Sequence, residues 1–543
     1  VLSLLSCQFE NFRALRDARL ELDHTTVLVG ENGCGKSSML HALELCLGPQ
    51  APAGGFDFEP GDFYRPGPLE PAGAIKIRLW FAEDDPSSCG ELRARGLVDQ
   101  DNRLDFCLTV EATLEQDRVN TAYYFNQAAR AEDYEFLLTE LRRLIPFIRI
   151  RGHAPSGPEA APRSDDDLPP DALARLQVQR QIRQTLTDLV DVEAVPESVV
   201  AQAREAVREV LAHWAQAAGP EPSFDHESRV LAPLSASGPW AQMADLLRGS
   251  GARSIAMLAF AGAYLQARGG QVLESDVHPL LTVEDPETKL HPLMLTSVWN
   301  LIGRLPAQKI VTTNSADLLA AIPLGSLRRL VRSAAGSVVV HRVPAGGMTL
   351  EELRRIAYHL RVRRGTALFM RFWLLVEGET EFWLLPEIAR ALKLDLRQEG
   401  VECLEFAQSG LTPLVRLATH LGIGWHLLSD GDRAGYSYFQ QASGLADSVT
   451  GRVTVLRAHD IEECLWDHGY SDVFYKAAGM KRSSRRTRPR MVIDQALRSY
   501  SKPELAILMG EAMRSPRSPG IPEPLEDVVR GAVHWAAHGT FDR

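Results

Sequence analysis

The chain has 543 residues and a formal net charge of −11, which excludes a single ordinary core and a generally basic nucleic-acid binder but leaves room for a local positive face. Seven cysteines, at 7, 34, 46, 89, 107, 403 and 464, form no C-x-x-C pair and no pattern of short spacings; this argues against a disulfide framework or a zinc cluster and fits a reducing, cytoplasmic setting. The start, VLSLLSCQFENFRAL, has no basic leader and soon turns polar, and no run reaches the ~18 apolar residues of a membrane span, so neither a targeting signal nor a membrane is expected.

Leu2–Phe12 and Ala18–Leu22 read as short strands, and Thr26–Val29 as a buried one. LVGENGCGKSSML (28–40) follows, matching G-x-x-x-x-G-K-[ST] at Gly30, Gly35, Lys36 and Ser37 between that strand and the helical pattern Ser38–Leu47. Such a loop turns its amides inward around phosphates. Lys36 reaches the β/γ oxygens, Ser37 ligates Mg²⁺, and Asn32, Gly33 and Ser38 complete the nucleotide-binding set. Residues 48–73 are loop. Ala74–Phe81, Phe106–Leu114 and Phe147–Arg151 are strands, and Tyr134–Leu144 is a helix. The Pro/Gly/acid-rich stretch 152–171 reads as a linker, and 172–217 as two amphipathic helices, forming either a dimerisation arm or a lid on their own domain.

Ser250-Gly251 precedes a long apolar helix. The apolar strand Leu280–Val283 then ends in Glu284 and Asp285, acids placed to hold Mg²⁺ and to orient or deprotonate water. A further buried strand, Lys309–Thr313, ends at Asn314-Ser315. Residues 351–371 are arginine-rich, suiting either DNA phosphates or a solvated face beside acids.

Beyond these, the strand Phe372–Val376 ends in Glu377-Gly378-Glu379-Thr380-Glu381 and enters a helix. Val401–Ala407, Trp425–Ser429 and Arg452–Arg457 are strands alternating with helices, and Asp430-Gly431-Asp432 follows the second of them. Four β/α units predict a small parallel sheet whose loops meet at the carboxyl ends of the strands. Glu377, Asp430 and Asp432 then converge, with Glu381 one helical turn from Glu377. Carboxylates without histidine or cysteine partners are hard ligands suited to Mg²⁺ or Mn²⁺. The run KRSSRRTRPR (481–490) holds six basic residues and no acid, pointing to DNA phosphates or else to a disordered tail.

The order phosphate loop, helical insertion, Ser250-Gly251, acidic strand, polar-tipped strand resembles ATPase heads of the ATP-binding-cassette type, including SMC and RecF relatives. That resemblance implies two heads sandwiching two ATPs, with Ser250 and Gly251 reaching the partner's γ-phosphate. The chain departs from the family where Glu284-Asp285 replaces Asp-Glu, which implies slow hydrolysis unless the backbone compensates for the shorter Asp285, and where Asn314, able to hydrogen-bond a γ-phosphate but not to take a proton, replaces a switch histidine. Strand-Glu-Gly followed by strand-Asp-x-Asp looks like the Toprim fold, and a Toprim behind such an ATPase resembles the OLD (overcoming lysogenization defect) nucleases. The resemblance implies an α/β chain divided as ATPase head (1–165 and 218–365), inserted helical dimerisation element (166–217) and Toprim nuclease with a helical C-terminal extension (366–543). It further implies two Toprim metals on Glu377, Glu381, Asp430 and Asp432, with Glu462 as an outer or direct ligand. Lys502 would be a transition-state cation, or merely a surface lysine at a helix start. DNA and a second copy are the implied partners, with room for a helicase. A DNA-clamping repair ATPase with a non-cleaving Toprim and a primase or topoisomerase remain alternatives.

Overall fold

The computed structural model describes residues 2–48, 56, 58–65, 73–83, 90–94, 97–99, 103–116, 118–126, 133–151, 278–288, 295–296, 299–300, 302–303, 305, 307–333, 336–363, 365–445, 451–481 and 488–539. The expected linker, the helical dimerisation element and Ser250-Gly251 lie outside them. The chain forms two compact units, Val1–Val340 and His341–Arg543.

In the first unit, the described strands are β1 (Leu2–Phe12), β2 (Leu15–Glu21), β3 (Thr25–Gly30), β4 (Ile75–Glu83), β5 (Asp105–Glu115), β6 (Arg118–Phe125), β7 (Phe147–Arg151), β8 (Leu280–Glu284), β9 (Gln308–Thr312), β10 (Leu327–Arg332) and β11 (Val338–His341). They join one sheet in the order β6-β5-β4-β1-β2-β11-β10-β3-β9-β8-β7. The β4–β5–β6 side is antiparallel and alternates; in β4, residues Ile75, Ile77, Leu79 and Phe81 are buried while their neighbours are only partly so. The β10-β3-β9-β8-β7 side is parallel where its pairing is recorded. Its strands TTVLVG, LLTVE and QKIVT are near-continuous apolar runs because both faces are covered. The described elements also include helices α1 (Lys36–Leu47), α2 (Gly90–Ala94), α3 (Tyr134–Leu144) and α4 (Ala316–Ala321) and the 3-10 turns Pro60–Asp62 and Leu324–Ser326; α3 buries Leu137, Leu138, Leu141 and Leu144 on one face.

Sequence patterning missed β6, β10 and β11. In β10, LRRLVR, two arginines interrupt the apolar run, yet Arg328 is only 1% exposed. Its guanidinium donates to Glu21 O at 2.8 Å and to Asp23 Oδ2 at 2.6 Å, so its charge is matched inside the sheet.

The second compact unit begins at His341. Helix α5 (Leu350–Arg363) belongs to it, tied by Glu352 to Arg416 of α7 (Leu411–His420) at 3.0 Å. Strands β12 (Phe372–Val376), β13 (Val401–Glu405), β14 (Gly424–Ser429) and β15 (Val453–Val455) pair in parallel in the order β13-β12-β14-β15, the small parallel sheet expected. Helices α6 (Glu379–Ala391), α8 (Arg433–Ser443), α9 (Ile461–Leu465), α10 (Ser471–Ala477), α11 (Pro489–Ser499), α12 (Lys502–Met513) and α13 (Glu523–His538) follow in chain order. The apolar faces of α6, α12 and α13 share a core with Phe372, Leu374 and Val376 of β12. Each fully buried leucine there stabilises the unit by about 1.5–3 kcal/mol. Among the described residues, no helix is long and apolar enough to cross a membrane.

Candidate functional site

The phosphate loop leaves the carboxyl end of β3. At Gly30 an added Cβ would lie 2.6 Å from the Leu330 carbonyl, so the close approach of β10 demands glycine; Gly33 (φ +79°) and Gly35 (φ +102°) are left-handed, which frees the following amides to point inward. Lys36 is buried, its Nζ donating to Gly30 O at 2.6 Å and to Glu31 O at 3.2 Å, while Asn32 and Ser37 are exposed and Ser38 is half-buried. Arg332, at the end of β10, donates to Gly33 O at 2.7 Å and Ala14 O at 2.9 Å, fastening the loop to the β1–β2 turn.

Parallel register brings the other expected residues to the same sheet edge, since Glu284 pairs with Thr312 and Thr312 with Leu28. Asp285 has φ +43°, and its carboxylate accepts from Thr312 Oγ1 at 3.2 Å. Glu287, missed from sequence, accepts the Asn314 amide at 2.7 Å; burial raises its pKa, and its Oε2 is buried without a partner. It therefore fastens the acidic turn to the Asn314 turn. Glu284 is ion-paired with Arg149 at 2.8 Å, and Arg149 also pairs with Glu44 of α1. A cation held by Glu284 would compete with that guanidinium. Only the alternation of FIRIR hinted at Arg149.

In the second unit, β12 and β14 are neighbours with Val376 opposite Leu428, so Glu377 and Asp430 emerge side by side. Two glycines make this possible. A Cβ on Gly431 would strike the Leu456 and Ala458 carbonyls, and one on Gly435 the Asp430 carbonyl, so the start of α8 packs directly on the strand end. Asp432 caps α8, accepting from Gly435 N at 2.7 Å. Glu381 and Glu462 are buried, and Thr380 Oγ1 donates to Glu462 at 2.8 Å.

These carboxylates feel one another. Burial, then the charges of Glu381, Glu462, Asp460 and Glu377, push Asp430 up to about 8. Burial raises Glu381 to about 7, with Glu462 and Glu377 adding to the rise and Lys502 opposing it. Burial and Asp432 raise Glu377, opposed by a hydrogen bond from Tyr438 and by Lys502. Lys502, the first residue of α12 after its Ser501 cap, thus reaches this cluster; its Nζ is 3.9 Å from where a Cβ on Gly378 would stand.

Among the described residues, no group of three His, Cys, Asp or Glu side chains is set to hold a metal ion. The donor set nevertheless fits a hard divalent cation, because it is all oxygen and the Asp430 Oδ1 is buried without a hydrogen-bond partner. Asp460 and Tyr438 join the cluster unannounced by sequence, since neither falls in the Glu-Gly or Asp-x-Asp pattern. The basic run is described only in part. Arg482, Arg485 and Arg486 lie outside the described residues, whereas Arg490 is ion-paired with Asp460 and, at 3.0 Å, with Asp494. In the arginine-rich helix α5, Arg355 pairs with Glu351 at 2.8 Å, the acidic-neighbour reading for that residue.

The raised carboxyl groups make a pH prediction. Asp430 at about 8 and Glu381 at about 7 bind protons in the folded state that the unfolded chain has lost. Their contribution to stability is therefore full below about pH 4 and is lost as pH rises through 7 and 8. A divalent cation substitutes for those protons, so millimolar Mn²⁺ should raise the melting temperature more at pH 8 than at pH 6. A shift independent of pH, or one retained by Asp430→Asn, would place the cation elsewhere.

Fold and sequence together define a mixed α/β unit carrying a glycine-lysine turn at a parallel strand end, followed by a Toprim domain. The chain belongs to the family described as Protein of unknown function (DUF2813), whose model matches residues 2–367, and residues 368–432 match the Overcoming lysogenization defect protein-like TOPRIM domain. It is similar to the Uncharacterized protein YbjD of Escherichia coli (strain K12), 34% identical over 564 residues that cover 98% of each chain. Among solved structures, the C-terminal region of the Burkholderia pseudomallei OLD protein matches 31% of this chain and 99% of its own, at 16% identity and TM-score 0.27. The SMC head domain from Thermotoga maritima matches 63% of this chain and 99% of its own, at 14% identity and TM-score 0.33.

Proposed function

We propose that this protein is an ATP-binding and ATP-hydrolysing, metal-dependent DNA endonuclease acting in DNA processing or anti-phage defence. The observation that carries this reading is the meeting of Glu377, Glu381, Asp430 and Glu462, within reach of Lys502, at the carboxyl edge of the Toprim sheet. Glu377, Glu381, Asp430 and Asp432 would hold two Mg²⁺ or Mn²⁺ ions, with Glu462 beside them. Bound there, the ions would supply Lewis-acid activation of water and stabilisation of the leaving 3′ oxygen. Lys502 would offset charge developing on the phosphate, and Tyr438, whose hydroxyl donates to Glu377 at 3.5 Å, would help to position that carboxylate.

At the head, Lys36 and the loop amides would hold the β/γ-phosphates, Ser37 and Glu284 the single Mg²⁺ ion, and Asn314 the γ-phosphate; Asp285 would orient the attacking water. Ser250 and Gly251 would act across a homodimer joined by the helical insertion. A helicase partner is not part of the proposal. The deciding experiment is nicking or linearisation of plasmid DNA by the purified chain, with Mg²⁺ or Mn²⁺ and with or without ATP. DNA binding and ATPase activity without cleavage would instead favour a clamping repair ATPase, and nucleotide incorporation or reversible relaxation a primase or topoisomerase.

The basic run supplies a further expectation. Replacing Arg485, Arg486 and Arg488 with alanine should weaken DNA binding uniformly across sequences, flattening the log-log salt dependence by about one unit per lost phosphate contact. Cleavage at saturating DNA should persist, while Lys502→Ala should slow the chemical step with binding nearly intact. Unchanged affinity and salt slope in the triple variant would move the DNA path to Arg354–Arg371.

A further inference from the structure

Helix α8 starts at the carboxylate site and leads away from it. Its cap is Asp432, and its first residue, Arg433, is exposed. At three-residue steps come Tyr436, 57% exposed, and Phe439, 37% exposed, both among the large apolar side chains left open to solvent. Residues three apart on a helix are neighbours, so Arg433, Tyr436 and Phe439 form one stripe running from the site. The third aromatic residue of the helix behaves differently. Tyr438 is partly buried, its ring set edge-on to Phe406 at 4.9 Å and its hydroxyl donating to Glu377 at 3.5 Å. Packing and site alignment thus account for Tyr438, whereas among the described residues neither accounts for Tyr436 and Phe439.

We propose that this stripe is a stacking platform for unpaired nucleotides, with Arg433 drawing in a phosphate and Tyr436 and Phe439 stacking the bases next to it. The occupant is chosen by chemistry and position. A cation followed by two open rings matches a single strand, which offers a phosphate and then bare base faces, and the stripe is continuous with carboxylates suited to a phosphodiester. A paired duplex hides its base faces and cannot use the rings. The substrate class that follows is DNA with a single-stranded stretch beside the cleaved phosphate: a flap, a gap, or a locally melted end. This rests on the nuclease reading of the carboxylate site and adds to it which form of DNA is taken.

The test uses the full chain in EDTA, so that binding is read without cleavage. An oligonucleotide carrying 2-aminopurine is offered single-stranded and as a blunt duplex of equal length. The wild-type protein should bind the single strand more tightly and change the probe's fluorescence. Tyr436→Ala with Phe439→Ala should weaken single-strand binding at least tenfold and abolish the fluorescence change while leaving duplex affinity unchanged. Tyr436→Phe should retain both. The proposal is overturned if wild type shows no single-strand preference, if the double variant binds the single strand as wild type does, or if it loses both DNAs equally. A change in oligomeric state on sedimentation of the double variant would also overturn it, by making the stripe a contact between copies. Because no metal is present, these outcomes stand apart from the nuclease reading, which fails separately if Asp430→Ala still cuts.

Discussion

Asp430→Ala and Glu377→Ala should each lower metal-dependent DNA cleavage by about a thousandfold or more, to background. Each removes an oxygen donor from the cluster that would hold the cations, and a catalytic metal ion is worth several kcal/mol of transition-state stabilisation, where 1.36 kcal/mol is tenfold. The fold should survive. Asp430 carries a raised pKa and an unpartnered buried oxygen, so in the absence of metal its carboxylate is a strain on the unit and its loss should stabilise the metal-free protein. A plasmid-nicking assay and a melting curve with EDTA therefore move in opposite directions in the same variant. Normal cutting by either variant would end the nuclease reading. A metal-free melting temperature well below wild type would instead show that the carboxylate is structural.

The other large effect belongs to the phosphate loop. Lys36→Ala should weaken ATP binding by about a hundredfold or more, because charge-assisted hydrogen bonds to two phosphate oxygens are each worth about 1.5–3 kcal/mol. Hydrolysis should fall to background. In the structure Lys36 Nζ holds the carbonyls of Gly30 and Glu31, its own loop, so the ammonium is already at the mouth of the turn that would receive the phosphates. Toprim chemistry should persist at least in part, since Glu377, Asp430 and Lys502 belong to another compact unit. An unchanged ATPase rate would refute the assignment, and equal loss of ATP-independent cleavage would show that the two activities are obligatorily linked.

The features legible in the chain were those written in local chemistry. The phosphate loop is a contiguous glycine pattern in strand-loop-helix register. The parallel strands β3, β8, β9, β12 and β14 are apolar runs bounded by polar turns, because both of their faces are buried. Strand ends carrying Glu377 and Asp430 implied convergence as soon as a parallel sheet was inferred. Strand β10 was illegible because Arg328 reads as surface until Asp23 and the Glu21 carbonyl are brought to it from far along the chain. Strand β6, RVNTAYYF, is mostly exposed and has no buried periodicity to betray it.

By itself, then, the sequence determined where the glycine-lysine turn lies and which strand ends deliver the acidic residues, since these follow from side-chain identity and spacing along a few consecutive residues. Only the tertiary structure decided which charges are already engaged. It gave Arg149 to Glu284 and Glu44, Arg490 to Asp460 and Asp494, and Glu287 to the amide of Asn314. It also decided that Glu381 and Asp430 carry raised pKa values, burial being the largest cause. The physical reason is that ion pairing and desolvation depend on distance and burial between segments remote in sequence, and no local pattern encodes either.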